Sequence, residues 1–239
     1  MATVHTFFLE PAKWQAPFTL QGAEAHHLSR VLRVRKGDTV RLLDGQGRLG
    51  FFCVASIEKN HVLLSLEHEE LTPRPPACTL AAGYSKALRR GWFLEKAVEL
   101  EAGALWFWQG DYSQASLPDT EKEAWQGSLV AGAKQSVNPW LPHMESVTGG
   151  AAAVAARAKN FDRAFMLYEG ETEGRLLTQQ DLAGTDSTLL VIGPEGGFSP
   201  AEVTTLIEAG VVAVSLGKRI LRWETAAVLV LGMAWWARQ

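Results

Sequence analysis

Two short polar stretches near the C-terminus hold the residue types that could do chemistry. The first is Gly193-Pro194-Glu195-Gly196-Gly197. Its glycines let backbone approach a ligand closely, Pro194 fixes the path of the turn, and Glu195 adds a carboxylate. A plain turn into a helix accounts for one such glycine but not for three around an acidic residue. No Gly-Lys-Ser/Thr follows, which excludes a phosphate-binding P-loop, and the carboxylate suits a cationic or hydroxyl-rich ligand better than a polyphosphate. The second stretch, Gly217 to Thr225, reads GKRILRWET. Ile220 and Leu221 offer apolar surface to a flat base, and Arg219 and Arg222 stand beside them to hold a phosphate, a combination that suits a nucleoside and an RNA strand.

The elements around these loops are those of a parallel sheet. Leu189 to Ile192 is a continuous apolar run, the pattern of a strand buried on both faces. Ser199, Pro200 and Glu202 spell a capping box with proline at the first helical position, so a helix is predicted from Pro200 to about Ala209. Val211 to Leu216 reads as the next buried strand. The two glycine-bearing loops thus leave neighbouring strand ends at one edge of the sheet, where open α/β sheets bind their ligands.

Upstream, the chain changes texture once. From Thr6 to about Leu71 short strands are predicted at Phe7-Phe8-Leu9, Thr39 to Leu43, Leu49 to Ile57 and Val62 to Leu66, a spacing that suggests a small barrel. Asp44-Gly45-Gln46-Gly47 is a hairpin turn between two of them. Gly45, Gly47 and Gly50 also spell the dinucleotide fingerprint, but a strand rather than a helix follows, which argues against a cofactor there. The Pro-rich segment Leu71 to Pro76 is the linker, giving domains at 1–71 and 77–239. Beyond it, strands and helices alternate: strands at Thr79 to Gly83, Ala104 to Trp108 and Ala164 to Leu167, and helices at Arg89 to Glu101, Thr120 to Gln135 and Ala151 to Lys159. The stretch Gly170 to Leu182 is ambiguous. The tail from Glu224 to Arg238 is apolar nearly all round, as befits a helix covered on most sides by its own domain or by a second copy, and the latter is favoured.

A cationic cluster interrupts the first part of a chain whose net charge is -3. Arg30, Arg33, Arg35, Lys36 and Arg41 stand against Asp38 alone; they form a solvated face or a surface for a phosphate backbone. His26 and His27 lack a third ligand at metal spacing, so they read as packing or RNA-facing residues, and no metal is indicated. Cys53 and Cys78 form no CxxC pair, which fits a reducing cytoplasm. The longest apolar run, Ala226 to Trp236, is too short to span a bilayer, and no signal peptide is visible.

GPEGGFSPAE followed by LGKRILRWETA resembles the C-terminal signature of the RsmE group of SPOUT-class methyltransferases. HHLSRVLRVRKGDTVRLLDGQG, from His26, is similar to that family's N-terminal PUA-like segment, and LEKAVELEAGA, from Leu94, to its first long catalytic-domain helix. The resemblance covers nearly the whole chain. It implies a small N-terminal PUA-like β-barrel followed by an α/β SPOUT domain with a deep trefoil knot, and a homodimer. It also implies S-adenosylmethionine (S-adenosyl-L-methionine) as cofactor, methylation of N3 of a uridine in 16S ribosomal RNA, and that RNA or the small ribosomal subunit as partner. Position by position, the cofactor would contact Gly193, Glu195, Gly196 and Gly197 in the first loop and Leu216, Gly217, Ile220, Leu221 and Arg222 in the second. His27, Arg30, Arg33, Arg35 and Lys36 would face RNA. The sequence departs from the family pattern at Lys134-Gln135-Ser136-Val137-Asn138, where EQSGR is usual, and at Trp223, where Thr is common.

Methyl transfer from a sulfonium is an in-line displacement helped mostly by positioning. Uridine N3 must lose its proton before or during attack, and Arg219 or Arg222 could stabilise charge building on the flanking carbonyl oxygens. Glu224 could accept the proton, although a neighbouring guanidinium weakens it as a base, and a role as an acidic residue at a helix N-terminus competes. A SPOUT enzyme acting on another RNA such as tRNA, or a non-catalytic RNA-binding protein, are the alternatives.

Overall fold

The computed structural model describes residues 4–76, 78–85, 90–118, 123–170 and 175–239. Two compact units emerge, one formed by the chain up to Arg74 together with Val130–Leu141, the other by Pro75–Leu129 and Pro142–Gln239.

The first unit contains β1 (Thr6–Phe8), β2 (Phe18–Gln21), α1 (Gly22–His26), a π-helical turn (His27–Val31), β3 (Thr39–Leu43), β4 (Arg48–Ile57) and β5 (His61–Leu71). They form a curled five-stranded sheet in the order β1-β3-β4-β5-β2, a half-barrel in which β1 and β3 run parallel and the other pairs antiparallel. Alternate residues point inward, as a one-sided sheet requires. Phe7, Leu20, Val40, Leu42, Phe52, Val54 and Val62 are fully buried, and the Phe52 ring meets Trp14 and Phe18 edge-on at 5.7 and 5.0 Å.

The hairpin between β3 and β4 is closed by the Asp44 carboxylate, whose Oδ1 accepts from the amides of Gln46 at 2.7 Å and Arg48 at 3.0 Å. Its glycines have a packing reason. A Cβ on Gly47 would stand 2.5 Å from the Trp140 ring, and one on Gly45 2.9 Å from the Leu141 side chain. The amide of Gly47 donates to Pro139 O at 2.9 Å, and that of Leu141 to Gly45 O at 3.0 Å. Segment 130–141 therefore packs as part of the first unit, which a single boundary at the Pro-rich linker does not capture. Gly45 and Gly47 serve this close approach, while Gly50 makes room for the Phe52 and Trp14 rings.

Lys134 sits in the same segment. Its Nζ lies 2.6 Å from Glu24 Oε1, with the side chains 17% and 25% exposed. At this burial a like-charged replacement has little water to screen it. Lys134→Glu is expected to lower unfolding free energy by about 1–3 kcal/mol. Adding Glu24→Lys should recover most of that in urea titrations; a charge swap that recovers nothing would remove the pair from the account. Three residues on, Val137 adopts φ 59°, a left-handed conformation that a β-branched residue rarely takes, at the position where the family pattern has glycine.

The second unit is a seven-stranded, all-parallel sheet. It comprises β6 (Cys78–Gly83), α2 (Arg90–Glu99), β7 (Ala104–Trp108), α3 (Glu123–Ser136, whose last turns group with the first unit), β8 (His143–Val147), α4 (Gly150–Ala158) and β9 (Arg163–Leu167). The short β10 (Arg175–Leu176) and α5 (Gln179–Leu182) follow, then β11 (Thr188–Ile192), α6 (Pro200–Glu208), β12 (Val212–Ser215) and α7 (Trp223–Trp236). The strand order is β10-β12-β9-β11-β6-β7-β8. The predicted helix starts at Arg89 and Thr120 lie outside the described residues. Every residue of β6 and β11, the central pair, is buried, as their largely apolar sequences, interrupted by Thr79 and opened by Thr188, suit. Leu189, Val191, Ala81 and Met166 pack with Val154 and Ala155 of α4 and Leu206 of α6. Helices α2 and α7 pack on each other, and α7 on β6 and β11.

One expectation needs correcting. The two glycine loops do not leave neighbouring strands: β9 lies between β11 and β12 and pairs with both. The reason is the crossover topology, since a strand formed earlier in the chain occupies the slot between two later ones.

The C-terminus is pinned by Arg238. Its guanidinium donates to the carbonyls of Leu182, Pro76 and Asp186 at 3.3, 3.1 and 3.3 Å and to Thr188 Oγ1 at 3.1 Å. Burial pushes the neighbouring Cys78 thiol up to about 11, with Arg238 offsetting part of the rise, so this cysteine is an inert core filler at neutral pH. At α5 the Arg175 guanidinium, hydrogen-bonded to Asp181 at 2.7 Å, holds the Asp181 carboxyl well below the usual range while that carboxylate closes a capping box with Thr178.

Candidate functional site

Because the sheet is parallel, the C-terminal ends of β6, β7, β9, β11 and β12 share one edge. The β11 loop is wedged there by contacts that only glycine permits. A Cβ on Gly83, the last residue of β6, would lie 2.2 Å from Pro194 N and 2.6 Å from Gly193 C. On the β7 side, a Cβ on Gly196 would lie 2.6 Å from Tyr112 Cβ. The turn is closed by Gly197 N donating to Pro194 O at 2.9 Å, with Gly197 at φ 77°.

The start of α6 then locks the loop. Ser199 Oγ accepts from Glu202 N at 3.2 Å, and Glu202 Oε2 accepts from Ser199 N at 2.8 Å, the reciprocal cap expected from the sequence. The second Glu202 oxygen accepts from Asp111 N at 2.8 Å, and Ser199 Oγ donates to Asp111 Oδ2 at 2.5 Å. Glu202, only 5% exposed, thus ties the β7 exit to the β11 exit.

The second loop is anchored on the same glycine. Ser215 Oγ accepts from Gly217 N at 3.0 Å, holding Gly217 at φ 126°. At the far end of the loop the Trp223 indole donates to Gly83 O at 3.1 Å and meets the Phe93 ring edge-on at 5.0 Å. Between these anchors Ile220 is 90% exposed.

These walls enclose a cavity of about 410 Å³, within the range of small-molecule cofactor sites. Gly193, Glu195, Gly196, Gly197, Leu216, Ile220 and Leu221 line it; Gly217 and Arg222 flank it. A side chain on Gly197 would meet no atom within 4 Å, so it would project into unfilled space. Apolar side chains and glycine backbone make a slot suited to a base and ribose, while among the described residues the charged side chains on the lining are the carboxylates Glu169 and Glu195, with no Lys, Arg or His beside them. A cationic adenosyl sulfonium fits that surface; a polyphosphate does not.

Sequence reasoning missed the third wall. Tyr168, Glu169 and Gly170, directly after β9, line the cavity, as do Trp223 and Ala226 of α7. Tyr168 N donates to Val214 O at 3.0 Å, and its ring meets Phe198 edge-on at 6.3 Å, with Phe198 stacked on Trp108 at 5.9 Å. A Tyr-Glu-Gly step after an apolar run marks a strand exit, but only the sheet order brings that exit between the other two.

The side chains expected to act on substrate lie outside the cavity lining. Arg219 and Arg222 are exposed on the second loop, and Glu224 is half-buried in the first turn of α7. In the first unit Arg30, Arg33, Arg35 and Lys36 are all exposed, with Arg33 held at φ 54°. The His27 ring is half-buried and meets Phe7 edge-on at 6.1 Å, while Arg41 lies over the Phe51 ring at 5.2 Å. Among the described residues, no three His, Cys, Asp or Glu side chains could together hold a metal ion, and no helix is long and apolar enough to cross a membrane.

Comparison with known proteins agrees with this architecture. Residues 72–235 match the RNA methyltransferase domain family, and residues 20–67 the RNA methyltransferase PUA domain. The chain is 31% identical to ribosomal RNA small subunit methyltransferase E of Bacillus subtilis, over 94% of this chain and 93% of that one. A crystal structure of a probable rRNA-methyltransferase from Porphyromonas gingivalis is 28% identical, with a TM-score of 0.84 and 95% of each chain covered. The fold is also that of ribosomal RNA small subunit methyltransferase E from Neisseria gonorrhoeae, which was solved bound to S-adenosyl methionine. It is 24% identical, with a TM-score of 0.79 and 96% and 95% of the two chains covered. With the domain match spanning more than half its length and a relative of this identity along nearly all of it, the chain belongs to the RNA methyltransferase family that includes ribosomal RNA small subunit methyltransferase E.

Proposed function

We propose that this protein transfers a methyl group from S-adenosylmethionine to N3 of a uridine in 16S ribosomal RNA. The observation that carries the reading is the cavity at the strand exits, apolar and glycine-walled for an adenosyl group and carboxylate-lined for a sulfonium. The cofactor-bound Neisseria relative and the name of the Bacillus relative support the donor and the RNA class.

When bound, the cofactor supplies an electrophilic methyl group. The chain does the rest by positioning. The glycine turn at 193–197 and Leu216, Ile220 and Leu221 hold the adenosyl end. Arg219 and Arg222, exposed on the loop that lines the cavity, donate to the uracil carbonyl oxygens as N3 loses its proton. Glu224, in the first turn of α7 after that loop, accepts that proton, while its carboxylate also favours the helix N-terminus. The exposed cations Arg30, Arg33, Arg35 and Lys36, with His27 beside them, hold the RNA backbone.

Two further features extend the reading. Trp92 of α2 and Leu229 and Trp236 of α7 are 44%, 41% and 64% exposed, an apolar surface that a second copy would cover in a homodimer. The segment from Gly217 onward is threaded through the loop leaving β11 as a trefoil knot, a path supported by the seating of Trp223 on Gly83 beside Pro194. A small-subunit RNA substrate also sets the enzyme's work in the cytoplasm.

Mass spectrometry of ribosomal RNA from a deletion strain tests the function. One uridine of 16S RNA should lose a methyl group on N3 and regain it on complementation. Intact 16S RNA with an altered transfer RNA would move the activity to the other substrate.

A further inference from the structure

The β9 exit brings a second carboxylate to the cavity. Glu195 on the β11 turn and Glu169 after β9 both line it and both are exposed, on loops from adjacent strands, and among the described residues no cationic side chain lines the cavity with them. The reaction changes the charge of what the cavity holds. The S–CH3 bond breaks with its electron pair left on sulfur, the N3–CH3 bond forms, and the N3 proton passes by way of Glu224 to solvent. A sulfonium thus becomes a neutral thioether while the methionine ammonium and carboxylate are unchanged.

We infer that Glu169, acting with Glu195, is a specificity-determining residue that makes the cavity prefer the sulfonium donor over the spent thioether, so that methyl transfer itself weakens retention of the product. The inference rests on the donor assigned above. Attraction to the amino-acid tail is common to both ligands and cancels in the ratio of their affinities, so the ratio reads the sulfur centre alone. Both carboxylates face water, so the preference is modest and salt-sensitive.

Isothermal titration calorimetry of the full-length protein with S-adenosylmethionine, S-adenosylhomocysteine and sinefungin, whose amine places a positive charge near the sulfonium position, tests this. Wild type should prefer both cationic ligands, and Glu169→Gln should narrow the donor-over-product ratio about three- to tenfold. Glu169→Gln with Glu195→Gln should narrow it further, and raising salt should narrow it in wild type. S-adenosylhomocysteine affinity retained in Glu169→Gln shows the fold and the pocket intact. A ratio unchanged in the variant overturns the inference and leaves the donor assignment standing, as does a parallel loss of all three ligands, which would mark a structural role. Failure of wild type to bind any of them overturns both.

Discussion

Gly83→Ala is expected to disable the protein although it adds one methyl group. The added carbon would stand 2.2 Å from Pro194 N, 2.6 Å from Gly193 C and 2.6 Å from Pro194 Cδ. None of these is the far end of a flexible side chain, so no rotamer change relieves the clash. Either the end of β6 or the start of the β11 loop must move, and the Gly83 carbonyl that receives the Trp223 indole moves with it. Overpacking against fixed backbone costs about 3 kcal/mol. Both cofactor loops hang on this residue, so S-adenosylmethionine affinity should fall at least about tenfold, the loss that a misplaced binding group brings. Urea denaturation and calorimetry read the two effects separately. Wild-type stability and wild-type affinity in Gly83→Ala would show that the loops are not held as described.

The second large effect is kinetic. Arg222→Ala should lower kcat by about a hundred- to a thousandfold, the range for removing one donor to a developing oxyanion. Affinity for the methyl donor should change little, because Arg222 flanks the cavity without lining it. The fold should also tolerate the change: the residue is exposed, and its cap role at α7 is made by its backbone carbonyl, which accepts from Ala226 N at 2.9 Å, with no side-chain cap bond. Arg222→Lys, which keeps the charge and loses the planar fork, should recover only part of the rate. Single-turnover methylation of a 16S fragment separates these outcomes. Full activity in Arg222→Ala would remove the residue from the reaction.

What could be read in the amino acids was local. The Ser199–Glu202 cap, the apolar run Leu189 to Ile192 of β11 and the strand from Ala104 to Trp108 each follow from a few adjacent residues, and the structure has them where the pattern predicts. Three strands escaped, among them the two-residue Arg175–Leu176 in the stretch whose pattern is ambiguous. Phe18–Gln21 is four residues long and follows Pro17, and His143–Val147 carries an exposed histidine and a glutamate, so neither shows a clean alternation. Gly45 and Gly47 looked like a fragment of a nucleotide motif because their partners, Leu141 and Trp140, lie far along the chain. The same limit hid the third wall of the cavity. Nothing in Tyr168-Glu169-Gly170 itself announces that β9 lies between β11 and β12; sheet order is a property of crossovers, and periodicity is blind to it.

The central claim is that the glycine turn at 193–197 and the loop at 216–221 close on an adenosyl sulfonium. A crystal structure of the protein soaked with S-adenosylmethionine tests it most directly. The account predicts the adenosyl group against Gly193, Gly197, Leu216 and Leu221, with the sulfonium methyl open toward the side of Arg222. Density for the donor at any other place on the chain, or none at saturating concentration, would contradict it.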